Sequence, residues 1–259
     1  MSRFTVTLPS NSSMNYHPNN TASNFTTKLA EPIELHGNWE CGLLEAIYPN
    51  RVFNVADDSY FFTLHHADDS QTKHYMAVGV YTNRIDITNR LRESQTAVAS
   101  TLPERKVPIQ FRTYAQNRWA FKIMTDEIKH LDFSPSLAHM LGFSEYQLYS
   151  GRGEHKASVS ADLMGETKNI YVYCDLLEHT LVGDTKAPLL KIVKRASSAD
   201  SEIGHASFNP VQYIPIQKRS FDTITVHLMT DTGTFMPFLS GKTTLVLEFR
   251  RCAHPYLLI

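Results

Sequence analysis

Residues 169–193 read NIYVYCDLLEHTLVGDTKAPLLKIV, and the rest of the chain is organised around them. From Ile170 to Leu176, β-branched and aromatic residues alternate with smaller and polar ones, the period of a half-buried strand. Glu178, His179 and the pair Gly183-Asp184 interrupt that period. Pro188 then opens a second apolar run from Leu189 to Val193. The stretch predicts a tight pair of strands with a polar connection between them. It holds no set of residues that reads as a catalytic pocket and is framework.

Working outward, the composition supports a β protein. The chain has 259 residues, 42% hydrophobic and 11% aromatic, with fourteen Phe and twelve Tyr. That is enough apolar material for a real core, and the Phe, Tyr, Val, Ile and Thr content favours strands over helices. A formal net charge of −1 excludes a strongly basic nucleic-acid footprint, which needs clustered Lys and Arg. No apolar run is long enough to cross a bilayer. The opening MSRFTVTLPS lacks the apolar core of a signal peptide, so export by that route is not expected. Cys41, Cys174 and Cys252 stand far apart without metal-ligand spacing, and each reads as a small buried hydrophobe in a reducing compartment. The sequons at Asn11, Asn19 and Asn24 are then never reached by the glycosylation machinery.

The remaining pattern is one of short strands and polar turns. Phe4, Val6 and Leu8 alternate before Pro9. Residues 10–23 are rich in Asn and Ser, with only Met14 and Tyr16 as large apolar side chains. This segment reads as a loop or an extended arm, mobile on its own. Strands follow at Asn24–Leu29, Trp39–Ile47, Tyr60–Leu64 and Tyr75–Val80, the last two flanking a polar turn at Ala67–Thr72. Residues 82–100 predict a helix capped by Thr82 or Asn83, with Ile87 and Leu91 on its apolar face. Ile109–Tyr114 and Arg118–Met124 form a hairpin. Ser134 as cap, Pro135 at the first helical position and Gly142 as stop punctuate a second short helix. Residues 149–168 and 194–209 read as long polar connections, and Val211–Ile216, Phe221–Met229 and Thr243–Phe249 as the last strands. About ten strands with two short helices in the connections predict an all-β fold, an antiparallel β-sandwich. We expect one domain over residues 1–259.

The candidate chemical motifs fail on geometry. Ser240-Gly241-Lys242-Thr243-Thr244 ends like a phosphate-binding loop, but Met236 stands where the pattern needs Gly and a strand follows where it needs a helix. His65-His66, His74, Asp57-Asp58 and Asp68-Asp69 do not form a metal site in a strand, where adjacent side chains point to opposite faces. Glu178-His179 and Glu154-His155 lack HExxH spacing, and no G-x-S-x-G elbow precedes a helix. Lys218-Arg219 and Arg250-Arg251 read as strand-edge charges. No catalytic residue, cofactor or metal is expected.

Several blocks occur in an order that resembles the penton, or minor capsid, protein of Polinton (Maverick) transposons and their virus-like relatives. They are LPSNSSMNYHPNNTASNFTTKL, WECGLLEAIYPN, FSPSLAHMLGF, YVYCDLLEHTLVGDTKAPLLKIV and FDTITVHLMTDTGTFMPFLSGKTTLVLEFRR, and together they run along almost the whole chain. The resemblance implies a single jelly roll that assembles as a homopentamer at the vertices of an icosahedral shell. It also implies a major double jelly-roll capsid protein as partner, a virion location, and no membrane or specific nucleic-acid partner. Within residues 10–23, Tyr16, Pro18, Asn19 and Asn20 become candidates for an assembly arm that a neighbouring subunit orders. Jelly rolls also serve as carbohydrate- or receptor-binding modules and as cupin-like metalloenzymes. Exposed Trp or Tyr beside acidic loops marks the first, and convergent His and carboxylate ligands mark the second.

Overall fold

The computed structural model describes residues 2–98, 107–114, 117–196 and 202–252. Its elements in chain order begin with β1 (Arg3–Pro9), β2 (Asn24–Glu34), β3 (Trp39–Pro49), β4 (Phe61–His66) and β5 (Gln71–Tyr75). Helix α1 (Arg84–Val98) precedes β6 (Ile109–Thr113), β7 (Trp119–Ile123) and β8 (Ile128–Phe133), and helix α2 (Pro135–Leu141) follows. Next come β9 (Tyr149–Ser150), β10 (Glu154–Lys156), β11 (Asn169–Cys174), β12 (Thr180–Val182), β13 (Thr185–Ala187) and β14 (Leu189–Lys194). The last are β15 (Ile203–Ser207), β16 (Tyr213–Pro215), β17 (Ser220–Met229) and β18 (Thr244–Arg251). They form two compact units, one from Met1–Val52 with Glu166–Ile259 and one from Phe53–Gly165.

The first unit is a jelly-roll β-sandwich. One sheet runs β1-β18-β3-β15, with β16 also paired to β3, and the other runs β14-β11-β17-β2. Counting β15 and β16 as one position, the eight strand positions read 1-8-3-6 and 5-4-7-2, the jelly-roll connectivity. Every pairing is antiparallel. Residues 169–194 supply β11 and β14, paired as expected from Asn169↔Lys194 to Tyr173↔Leu189 across one register shift. Leu8, Phe25, Leu43, Val172, Val226, Leu247 and Phe249 fill the space between the sheets. Each such buried side chain contributes about 1.5–3 kcal/mol of transfer free energy.

The second unit has its own core. A three-stranded sheet β10-β7-β6 and a four-stranded sheet β5-β4-β8-β9 enclose Phe62, Phe111, Trp119, Phe121, Phe133 and Leu131. The rings of Phe133 and Phe143 stack at 4.8 Å, and Phe121 meets Phe133 edge-on at 5.5 Å. Helix α1 is capped by Asn83, whose Oδ1 accepts from the Asp86 amide at 2.9 Å, and it buries Ile87 and Leu91. Helix α2 carries the punctuation read from the sequence: Ser134 accepts from the Leu137 amide, and Gly142 closes it in the left-handed region at φ 83°.

Four sequence expectations need correction. Short segments such as β9, β10, β12, β13 and β16 raise the strand count above ten, because two or three residues leave no periodicity to read. The partner of β4 is Gln71–Tyr75 rather than Tyr75–Val80; Asp69 at φ 64° turns the chain early, and polar Thr72 and His74 disguise the strand. The connection 194–209 contains β15, whose Gly204 and Ala206 face β3 with little apolar signal. Cys252 is half-exposed at the end of β18, unlike the buried Cys41 and Cys174.

The αL cap generates a stability prediction. A Cβ at Gly142 would meet the Val159 carbonyl oxygen at 2.3 Å, whereas one at Gly151, φ 82°, would meet nothing within 4 Å. Gly151→Ala is expected to cost about 1 kcal/mol for its backbone conformation alone. Gly142→Ala adds a backbone clash and is expected to cost roughly 2–4 kcal/mol. Urea unfolding of both variants checks the ordering, and equal losses would contradict it.

Candidate assembly surfaces

A sandwich with open sheets has edges, and their treatment determines what a second chain meets. Strand β2 is the last strand of its sheet. The outward backbone groups of its first half, at Asn24, Thr26 and Lys28, are taken by residues 10–23. Asn20 Oδ1 accepts from the Thr26 amide at 2.9 Å while its Nδ2 donates to the Thr26 carbonyl at 2.9 Å. Ser13 Oγ accepts from the Lys28 amide at 2.9 Å, and Thr21 accepts from the Asn24 amide at 3.0 Å. The Thr21 amide in turn donates to the Asn24 carbonyl at 2.8 Å. Three polar residues thus stand in for a further strand. Of the arm candidates, Tyr16 (71% exposed), Pro18 and Asn19 face solvent, while Asn20 is half-buried against β2. The segment expected to be a loop or an extended arm is hydrogen-bonded to β2 by Asn, Ser and Thr side chains.

The other edges are more open. In the β1–β18 ladder the Arg251 amide donates to the Ser2 carbonyl and the Ser10 amide to the Thr243 carbonyl. Alternation in an antiparallel ladder then turns the backbone groups of Arg3, Thr5 and Thr7 outward. On β14 the same reasoning turns Ile192 and Lys194 outward, and Tyr48 Oη donates to the Lys194 carbonyl at 3.1 Å. Lys191 and Lys194 flank that edge with charge.

A polar network lies at Glu248, in the middle of β18. The carboxylate is buried, and Oε1 accepts from Arg3 Nε at 2.5 Å while Oε2 accepts from Tyr213 Oη. Arg250 lies 3.6 Å over the Tyr213 ring and donates to Glu40 at 2.8 Å. The hydrogen bond from Arg3 holds the Glu248 carboxyl below the usual carboxylate range, against the opposing effect of burial.

A groove of 460 Å³ is lined by Phe4, Ile33, Glu34, Leu35, His36, Trp39 and Arg251. Trp39 is fixed by its Nε1–H bond to the His36 carbonyl and by the Phe4 ring at 5.5 Å. Between β11 and β14 stands the hairpin β12–β13, paired only with itself and turned by Gly183 at φ 61°. Sequence reasoning saw this connection as polar and missed its short strands.

The rejected motifs have local structural roles. Thr243 is buried, its hydroxyl donates to the Ala22 carbonyl at 2.7 Å, and strand β18 follows directly. His65 pairs with Asp132 at 2.5 Å, His66 with Thr72, and buried His74 with the Ser94 carbonyl at 3.0 Å. Among the described residues no three His, Cys, Asp or Glu gather as metal ligands. Burial pushes the Cys41 thiol well up and that of Cys174 to about 12, so both stay protonated near neutrality. Among the described residues no helix is long and apolar enough to cross a membrane.

No protein-family model and no curated protein matches the sequence. Solved structures do. The crystal structure of the mavirus penton protein aligns with a TM-score of 0.50, over 97% of this chain and 99% of that one, at 10% identity. The chain shares the fold of that protein. A structure of the Sputnik virophage determined by cryo-electron microscopy aligns over 97% of this chain and 98% of its own, at 9% identity and a TM-score of 0.47. At such identities the likeness is one of architecture. The shared fold accounts for the order and connectivity of strands, while the surfaces described above belong to this sequence.

Two predictions come from these surfaces. Asn20→Ala removes both bonds to Thr26, which should raise the exchange rate of the Thr26 amide about tenfold or more and lower stability by roughly 1–2 kcal/mol. An unchanged Thr26 amide would mean that another group closes this edge. The depressed Glu248 pKa carries a sign for acid stability. Its contribution is fully present above the unfolded-state value of 4.5 and is lost as pH falls below it. Glu248→Gln is therefore expected to lower the urea midpoint at pH 7 and to lose less than the parent chain between pH 5 and pH 3. Parallel profiles would contradict this.

Proposed function

We propose that this chain is a penton, a minor capsid protein that forms the five-fold vertex of an icosahedral particle and carries no catalytic activity. In this reading the chain is a homopentamer that sits in a shell of a major double jelly-roll capsid protein, and its place is the virion. Neither a membrane nor a specific nucleic acid is a partner. The two units act together as one capsid domain over residues 1–259. The observation that carries the reading is the extent of the structural match. It runs nearly end to end on both chains and so takes in the insertion of residues 53–165 as well as the jelly roll.

Physical features of the chain support a subunit of a closed ring. Such a ring joins identical subunits head to tail, so one chain has to carry two different, complementary patches. The sandwich offers distinct candidates rather than one self-complementary face: a β2 edge closed by its own loop, a β1 edge left open, an apolar groove and a freestanding hairpin. Exposed Tyr16, Pro18 and Asn19 project from the loop that Asn20 anchors. They form the outer part of the proposed assembly arm, with Asn20 as its base.

Native mass spectrometry of the purified chain, alone and with its major capsid partner, tests the reading. Complexes of five 29.5-kDa chains are expected. Monomers under both conditions would overturn it.

A further inference from the structure

We infer that the β12–β13 hairpin of one copy seats in the Phe4–Ile33–Leu35–Trp39 groove of the next copy around the ring. This deepens the pentamer reading and rests on it. The starting point is an ordered hairpin whose strands, among the described residues, pair only with each other. Thr180, Leu181, Thr185 and Lys186 of the hairpin are exposed, and Leu181 is 77% exposed. A two-stranded hairpin standing in water is marginal at best, and a leucine held away from any core gains nothing from folding. The arrangement has a physical return once another chain covers it.

The groove has complementary properties. Phe4, Ile33, Leu35 and Trp39 give it an apolar floor, and the Trp39 ring is held before any partner arrives. A space of 460 Å³ exceeds what a leucine fills. Its rim carries Glu34, His36 and Arg251, while the hairpin carries Asp184 and Lys186. Opposite charges are thus available in both directions, Lys186 toward Glu34 and Asp184 toward Arg251. The hairpin does not fill the groove of its own chain, since Leu181 stays exposed.

Topology brings the two to one level. The hairpin lies in the connection from β11 to β14, and His36 lies in the connection from β2 to β3. In the jelly roll these connections leave the sandwich at the same end, with the β16–β17 connection. Local bonds agree: the Glu178 amide donates to the Pro215 carbonyl and the Leu35 amide to the Arg219 carbonyl. Rotation about a ring axis preserves height, so a head-to-tail contact has to join features at one level. Hairpin and groove satisfy that condition when the strands run along the axis.

Substitutions in the full chain, read by native mass spectrometry with the partner conditions above, test the inference. Leu181→Asp is expected to reduce the pentamer population about tenfold or more. Its monomer melting temperature should not change, because the side chain is exposed. Lys186→Glu should weaken assembly, and adding Glu34→Lys should restore it. In a Cys252→Ser background, Leu181→Cys with Ile33→Cys should give disulfide-linked oligomers on mild oxidation. Wild-type pentamer levels in Leu181→Asp, or a disulfide confined within single chains, would overturn the inference and leave the pentamer reading intact. A parent chain that stays monomeric under both conditions overturns the pentamer reading itself and this inference with it.

Discussion

The jelly roll depends on its first and last strands, β1 and β18, meeting. Strand β18 lies between β1 and β3, and its register pairs Phe249 with Phe4 on one side and with Cys41 on the other. The Phe4 and Phe249 rings stack at 4.8 Å, which fixes the register where it also closes the core. Without β18 its sheet has no bridge between β1 and β3, and Leu245, Leu247 and Phe249 leave the interior. Such closure is entropically tolerant of what lies between. The cost of bringing chain ends together grows only logarithmically, by about 0.6 kcal/mol per doubling of loop length. That slow growth lets residues 53–165 stand between β3 and β11 with a core of their own.

Edge chemistry gives the sandwich its asymmetry. A sheet edge is a template for a further strand, and the β2 edge is closed by side chains from residues 10–23 in place of backbone. Asn20 suits this task because an amide carries a donor and an acceptor in the plane of a peptide group. Among the described residues the β1 edge has no such cover in its outward row, and only Pro9 at its end lacks a donor. A molecule built to associate in one direction needs this kind of inequality between its sides.

Much of this was legible in the residues. The alternation at Ile170–Leu176 and Leu189–Val193 located β11 and β14, and the Ser134-Pro135…Gly142 punctuation located α2, because caps and two-residue periods are local physics. Strands of two or three residues were not legible, since a period needs repeats to be seen. β5 was hidden by polar residues that face solvent or, like His74, are buried with a backbone partner. The loop at 10–23 was read as poor in apolar material, and its side-chain bonds to β2 left no mark in composition. Composition reports the burial a segment offers, whereas the match of Asn20 to the Thr26 backbone exists only once β2 is in place. The division into two units also left no signal, because both are strands and turns of the same texture. The Gly241-Lys242-Thr243 run, rejected from the sequence because a strand follows where a phosphate-binding loop needs a helix, leads directly into β18.

Residues 2–52 and 166–252 are expected to form a sandwich that folds without residues 53–165. Deleting residues 53–165 and joining the flanks with a Gly-Ser linker of about fifteen residues tests it most directly. Of the two tryptophans, Trp39 remains in that chain as the only one, buried against Phe4, and so reports the sandwich alone. The account predicts a buried-tryptophan emission at rest and a single cooperative shift to the exposed spectrum in urea. Emission that is already exposed in the absence of urea, with no transition, would contradict it.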